Sequence, residues 1–69
     1  MKLSTRNQLA GKVVSVTTGE AMAVVKVALP GGEVLTSSIT REAAEDLELT
    51  QGKDVVVLIK STEVGLGVE

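Results

Sequence analysis

The chain has 69 residues, with seven basic and nine acidic side chains and a net charge of −2, and it contains no Cys, His, Phe, Trp or Tyr. This length allows one domain, predicted over residues 1–69, and the missing Cys and His exclude disulfides and the usual ligands of a structural zinc site. The acidic balance and the lack of aromatic side chains argue against nucleic-acid binding, and no apolar run reaches the roughly 18 residues of a membrane span.

Aliphatic side chains dominate the sequence: 43% of the residues are hydrophobic although none is aromatic. A chain this short buries little surface by itself, and small domains without disulfides or metals gain stability by associating. Because surplus apolar surface usually marks an interface, we predict a homo-oligomer.

Short Val-rich segments separated by turn residues indicate β-strands along most of the chain. Pro30-Gly31-Gly32 predicts a hairpin turn, because Pro presets one dihedral angle and Gly tolerates positive φ. The predicted strands are Leu9–Thr18, Ala21–Leu29, Glu33–Ile39, Asp54–Ile59 and a short fifth strand, Val64–Val68.

The periodicity changes between the third and fourth strands, where Thr40–Leu47 is predicted to form two turns of helix. Thr40 is a favourable N-cap, and Glu42 lies in the first turn, where the helix dipole favours an acid. Five strands with one short helix between strands 3 and 4 predict an all-β fold, a five-stranded OB-like Greek-key barrel. The alternative is an open sandwich that a partner chain completes.

The sequence offers little catalytic chemistry. Without His or Cys it lacks the commonest general base and the best thiol nucleophile, and Glu45 and Asp46 are interpreted as a solvated helix face. We therefore predict that the chain is not an enzyme. The N-terminus lacks the apolar core of a signal peptide, which predicts a cytoplasmic location.

Three hydroxyl-rich polar groups stand out: Ser4–Asn7 just before the first strand, Thr36–Thr40 leading to the start of the helix, and Lys60–Thr62 just after the fourth strand. Arg6 supplies a fork of donors, Lys60 a point charge, and the hydroxyls short neutral hydrogen bonds. The N-terminus of the helix adds backbone N–H groups. These are the components of a site for a tetrahedral oxyanion. Each group alone is more simply an ordinary terminus, cap or turn, and spacing along the chain does not bring the three together.

Four segments stand in one register over nearly the whole chain: Ser4–Val13 (STRNQLAGKV), Gly32–Thr40 (GEVLTSSIT), Leu49–Val55 (LTQGKDV) and Ile59–Val64 (IKSTEV). In combination they resemble the molbindin (Mop) family of molybdate- and tungstate-binding TOBE-type domains. Thr5 replaces the small Ala usual in the opening motif, and Ser61 stands where some members have Ala.

The resemblance implies molybdate or tungstate held at the subunit interfaces of a hexamer, a trimer of dimers in which partners share the first strand. Ser4 and Arg6 match the opening motif, and Lys60 and Ser61 match the closing one. We expect these four residues from one subunit. Thr40 and the backbone N–H groups near Ala43 would come from its neighbour. The metal would be bound as an oxyanion, with no side chain coordinating it directly.

We therefore predict cytoplasmic binding of molybdate or tungstate for intracellular molybdenum storage or homeostasis, with no nucleic-acid or membrane partner. Two alternatives remain. One is a structural β-module for assembly or docking with no ligand of its own. The other is a binder of a molybdopterin, against which the lack of aromatic side chains to stack on a pterin ring argues.

Overall fold

The computed structural model describes the whole chain, residues 1–69. It contains four strands, one short α-helix and one 3-10 turn. In chain order these are β1 (Asn7–Thr18), β2 (Met22–Ala28), β3 (Val34–Thr40), α1 (Arg41–Asp46), β4 (Asp54–Ile59) and the 3-10 turn (Ser61–Glu63). The first four predicted strands are therefore confirmed, with ends within two residues of those predicted.

The four strands form one antiparallel sheet in the order β3-β2-β1-β4. The first three strands follow one another as hairpins, and the fourth returns to lie beside the first. This is the Greek-key order that the sequence predicts.

β1 is the long central strand, and its two halves have different partners. Residues 7–12 pair with β4, while residues 12–18 pair with β2. The register shifts between Val13 and Ser15, which marks a β-bulge. Because a bulge bends its strand and increases the local twist, it turns one half of the sheet across the other and curls the whole sheet.

The hydrophobic core is small and consists of valine side chains from the centre of the sheet. Val13, Val25 and Val27 are buried against one another, with half-buried Val, Ile and Leu side chains around them. Only five of the 69 residues are buried. So small a core in so apolar a chain leaves large aliphatic side chains exposed on all four strands.

The predicted fifth strand is wrong for the single chain. Val64–Val68 has no ladder partner and is not a strand, so the sheet has four strands and no fifth strand closes a barrel. The segment has the alternation of a strand, but a strand forms only where a neighbouring backbone accepts and donates its hydrogen bonds.

α1 begins as the sequence predicts, directly after Thr40. The Thr40 hydroxyl oxygen accepts a hydrogen bond from the Ala43 backbone N–H at 3.0 Å, so Thr40 is the N-cap. At the other end, Lys53 Nζ donates to the carbonyl of Leu47 at 2.6 Å. No helix of this chain is long and apolar enough to cross a membrane.

Candidate oxyanion site

The sheet brings the opening and closing polar groups of the chain together. Asn7 pairs with Ile59 at the last position of the β1–β4 ladder, and Asn7 Nδ2 donates to the Ile59 carbonyl at 3.0 Å. Arg6 and Lys60 are the residues directly beyond this last pair. Two cations from opposite ends of the sequence therefore lie at the same end of the β1–β4 pair, an arrangement that spacing along the chain could not reveal.

Neither of these two cations has an ionic partner. The ion pairs of the structure are Lys12–Asp54 and Arg41–Glu45, and neither involves Arg6 or Lys60. This end of the molecule, the cationic end, therefore carries two positive charges that no carboxylate of the chain neutralises.

Two of the predicted hydroxyl donors are close in sequence to these cations. Ser4 precedes Arg6, and Ser61 follows Lys60 at the start of the 3-10 turn; all four side chains are exposed. Gln8 Nε2 donates to the Thr5 carbonyl at 2.9 Å and holds the segment that leads into β1. The donors are thus accessible, but in one chain they stand in water, where salt and solvent weaken their hold on an anion.

Thr40 and Ala43, the other two predicted site residues, lie at the opposite end of the sheet. Thr40 pairs with Met22, the first residue of β2. The next residue of β2, Ala23, pairs with Thr18, the last residue of β1. β1 is twelve residues long, with Arg6 just before its first residue and Thr40 in register with its last ones. The strand pairing of one chain therefore places Thr40 and Arg6 at opposite ends of β1.

The Thr40 hydroxyl keeps one free donor. Its oxygen accepts from the Ala43 N–H, which leaves the hydroxyl proton available to a ligand. The Ala43 N–H, predicted as a donor to the oxyanion, is already given to Thr40 in this structure. The backbone N–H of Arg41 is also used, since it donates to the Ala21 carbonyl at 2.8 Å.

The surroundings of Thr40 are acidic. Glu20, Glu42 and Glu45 line a depression beside Thr40, and the single cation there, Arg41, pairs with Glu45 at 3.2 Å. The three carboxylates do not converge as a metal site. This end, the acidic end, is thus opposite in charge to the cationic end and does not attract an oxyanion unaided.

Two residues near these two ends of the sheet were not among the predicted site residues. Asn7 ties β1 to β4 through its side chain, and Glu20 reaches the acidic end from the β1–β2 turn. Asn7 follows Arg6 directly in the opening motif, which was the available signal for it. Nothing in the sequence pointed to Glu20, because its proximity to α1 depends on the hairpin.

The fold and the sequence both match known proteins. The family model of the TOBE domain matches residues 3–66. A probable molybdenum-pterin-binding protein of Haemophilus influenzae is 46% identical over 69 residues, which cover all of both chains.

Two solved structures are also similar. MopII from Clostridium pasteurianum, in an apo form, has a TM-score of 0.92 and 36% identity over 97% of this chain and 100% of that one. The cytoplasmic molybdate-binding protein ModG, with molybdate bound, has a TM-score of 0.95 and 42% identity over all of this chain. This chain spans 49% of the ModG chain.

The curled Greek-key sheet of this chain is thus a TOBE domain. Within that class, the chain belongs to the molbindin (Mop) family, as its sequence motifs indicated. The relatives are named as binding proteins, in agreement with the prediction that this chain is not an enzyme.

Proposed function

We propose that this protein binds molybdate reversibly, with no bond made or broken. The observation that carries the proposal is the placement of Arg6 and Lys60 at the same end of the β1–β4 pair, both without an ionic partner and flanked by Ser4 and Ser61. A dianion between the two cations removes their repulsion, and the hydroxyls saturate its remaining oxygens. The names of the relatives support molybdate as the ligand.

The bound ion lies between two copies of the chain. One copy supplies Ser4, Arg6, Lys60 and Ser61, and the other supplies the Thr40 hydroxyl from the cap of α1. The distance between the two sets in one chain supports this division. Association also removes the site from bulk water. Each hydrogen bond to the anion is stronger in the shielded interface than it would be in water.

Opposite charges favour the same contact. The cationic end carries unpaired Arg6 and Lys60, whereas the acidic end carries Glu20 and Glu42 in addition to the Arg41–Glu45 pair. Complementary charges steer association and fix which surfaces meet. The Ala43 N–H contributes indirectly, because its bond to Thr40 orients the hydroxyl that faces the ion.

The wider role that fits is intracellular storage or homeostasis of molybdenum in the cytoplasm, with tungstate accepted because it is a tetrahedral dianion close to molybdate in radius. The assembly would be a hexamer, a trimer of dimers. The few buried residues and the exposed aliphatic side chains support an oligomer of this kind.

Isothermal titration with molybdate tests the proposal, with sulfate as the control anion and the mass of the oligomer measured in the same buffer. We expect saturable molybdate binding by the oligomer and much weaker sulfate binding, because the two ions differ chiefly in radius. An assembled oligomer that gives no heat with molybdate would contradict the proposal and favour a structural β-module. Heat only with a molybdopterin would assign the ligand implied by the relative's name.

A further inference from the structure

The two cations of the candidate site lie just outside the β1–β4 ladder, where strand pairing no longer fixes the backbone. The last pair of the ladder is Asn7 and Ile59, and Arg6 and Lys60 each lie one residue beyond it. Neither cation belongs to a strand, because β1 begins at Asn7 and β4 ends at Ile59. The backbone positions of the two cations therefore depend on hydrogen bonds outside the ladder.

The Asn7 side chain fixes the backbone before Lys60. Asn7 Nδ2 donates to the Ile59 carbonyl at 3.0 Å, and this carbonyl belongs to the peptide bond that joins Ile59 to Lys60. On the other side, the Lys60 carbonyl accepts from the Glu63 N–H at 2.9 Å in the 3-10 turn. The Lys60 side chain makes no capping bond and no ion pair. Its backbone is thus held on both sides while its charge stays free.

The neighbouring Gln8 side chain acts in the same way on Arg6. Gln8 Nε2 donates at 2.9 Å to the Thr5 carbonyl, which belongs to the peptide bond that joins Thr5 to Arg6. Successive residues of a strand point to opposite faces, so Asn7 and Gln8 act on opposite sides of β1. Asn7 is half-buried and Gln8 is exposed, and a hydrogen bond shielded from water is the stronger one. The Asn7 bond therefore contributes more than the Gln8 bond.

We propose that Asn7 is a positioning residue for molybdate, which sets the backbone of Lys60 against that of Arg6 and so fixes the separation of the two charges. Asn7 follows Arg6 directly in the chain and bonds to the peptide before Lys60, so one residue connects the two cations. A site already held in its binding geometry loses less conformational freedom when the ion binds. The inference rests on the proposed molybdate site and adds a residue that does not touch the ion.

Asn7→Val tests this role, because it removes the amide and places a better strand former in the ladder. One net hydrogen bond changes an equilibrium constant by about two- to tenfold, and we expect the molybdate Kd to rise by that factor. The unfolding midpoint of the ligand-free protein in urea should stay close to that of the wild type. Gln51→Val is the matched control, since Gln51 is an exposed amide in the turn before β4, away from Ile59. It should keep the wild-type Kd.

A comparison in two backgrounds separates positioning from a general structural role. If Asn7 acts through Lys60, Asn7→Val should change the Kd of a Lys60→Ala protein by less than about twofold. A merely structural role would instead give the same fold-change in the wild type and in Lys60→Ala.

Three results would overturn the inference: a wild-type Kd for Asn7→Val, an equal fold-change in both backgrounds, or an equal loss of affinity in Gln51→Val. If Lys60→Ala weakens binding while Asn7→Val does not, the positioning role fails and the proposed function stands. A wild-type protein that binds no molybdate would overturn both.

Discussion

Arg6 and Lys60 directly flank the last pair of the β1–β4 ladder, Asn7 and Ile59, and neither has an acidic partner. Two like charges at one end of a strand pair repel each other in the free protein. An oxyanion reverses the sign of the interaction. Arg6 can give two parallel N–H donors to two oxygens, whereas Lys60 acts as a compact charge.

Replacing either cation should weaken molybdate binding strongly without harming the fold. A hydrogen bond to a charged group contributes about 1.5–3 kcal/mol, so Arg6→Ala or Lys60→Ala should each raise the molybdate Kd by roughly 10- to 100-fold. Both side chains are exposed, and the free protein should unfold at the same temperature or slightly higher.

Lys26→Ala is the matched control for these variants, because Lys26 is an exposed cation that bonds to Thr36 in the middle of the sheet. Titration calorimetry should give this control the wild-type Kd. An Arg6→Ala protein with wild-type affinity would remove Arg6 from the site.

Thr40 has two separable functions, as the N-cap of α1 and as a hydroxyl donor. Ser keeps both functions, Ala loses both, and Asp keeps the cap but presents a carboxylate to the anion. We expect Thr40→Ala to lower the free energy of unfolding by about 1 kcal/mol, with Ser and Asp close to wild type. Affinity for molybdate should instead follow the order Ser, Ala, Asp.

Urea unfolding of the ligand-free protein and molybdate titration separate the two functions. If Thr40→Asp binds molybdate as well as Thr40→Ser does, Thr40 is only a helix cap.

The packing of β1 on β2 depends on Gly11. A Cβ atom there would lie 2.6 Å from Val27 Cγ1 and 2.8 Å from the Ala28 carbonyl oxygen. Since one neighbour is backbone and the other belongs to the core, Gly11→Ala should destabilise the fold by about 1–3 kcal/mol. Gly19→Ala is the control, because its Cβ would meet only the Met22 carbonyl oxygen at 3.5 Å. Equal unfolding midpoints in urea for the two variants would contradict this assignment.

The elements that local chemistry specifies were predictable from the sequence. β4 is a continuous aliphatic run and was predicted with the observed bounds, and Thr40 was correctly identified as the cap of α1. Val64–Val68 has an equally good strand pattern but is not a strand here. The alternation of apolar and other residues shows which side chains would share one face of a strand. The strand itself forms only where a second backbone pairs with it.

The residues of the candidate site were proposed from the sequence, whereas their geometry could not be. The donors Arg6 and Lys60 were identified from residue type and family motif, yet their placement at one end of the sheet depends on the β1–β4 register. The family pattern assigned Thr40 to a neighbouring chain, and the length of β1 gives a physical reason for that division. The carboxylates around Thr40 were not anticipated, because Glu20 reaches them through a turn.

The whole molecule buries only five of its 69 residues, and a core this small contributes little stability. If folding and association are coupled, stability depends on protein concentration by mass action. We expect the melting temperature to rise as the concentration increases, and molybdate to raise it further. Calorimetric scans at several concentrations, with sedimentation at the same concentrations, check this. A monomer with a melting temperature independent of concentration would contradict it.

The central claim is that one molybdate ion is held by two chains, with Arg6 and Lys60 from one and Thr40 from the other. The most direct test is complementation between Arg6→Ala and Thr40→Asp chains. Each variant alone should bind molybdate poorly, because every site has one defective half. In a mixed two-fold pair, one site combines both defects and the other combines two wild-type halves.

The measurement is the molybdate titration of oligomers assembled by coexpressing the two variants, compared with each variant alone. The account predicts that coexpression restores a population of sites with the wild-type Kd. If the mixed oligomers bind no better than the separate variants, although both variants co-assemble, molybdate is not shared between chains in this way.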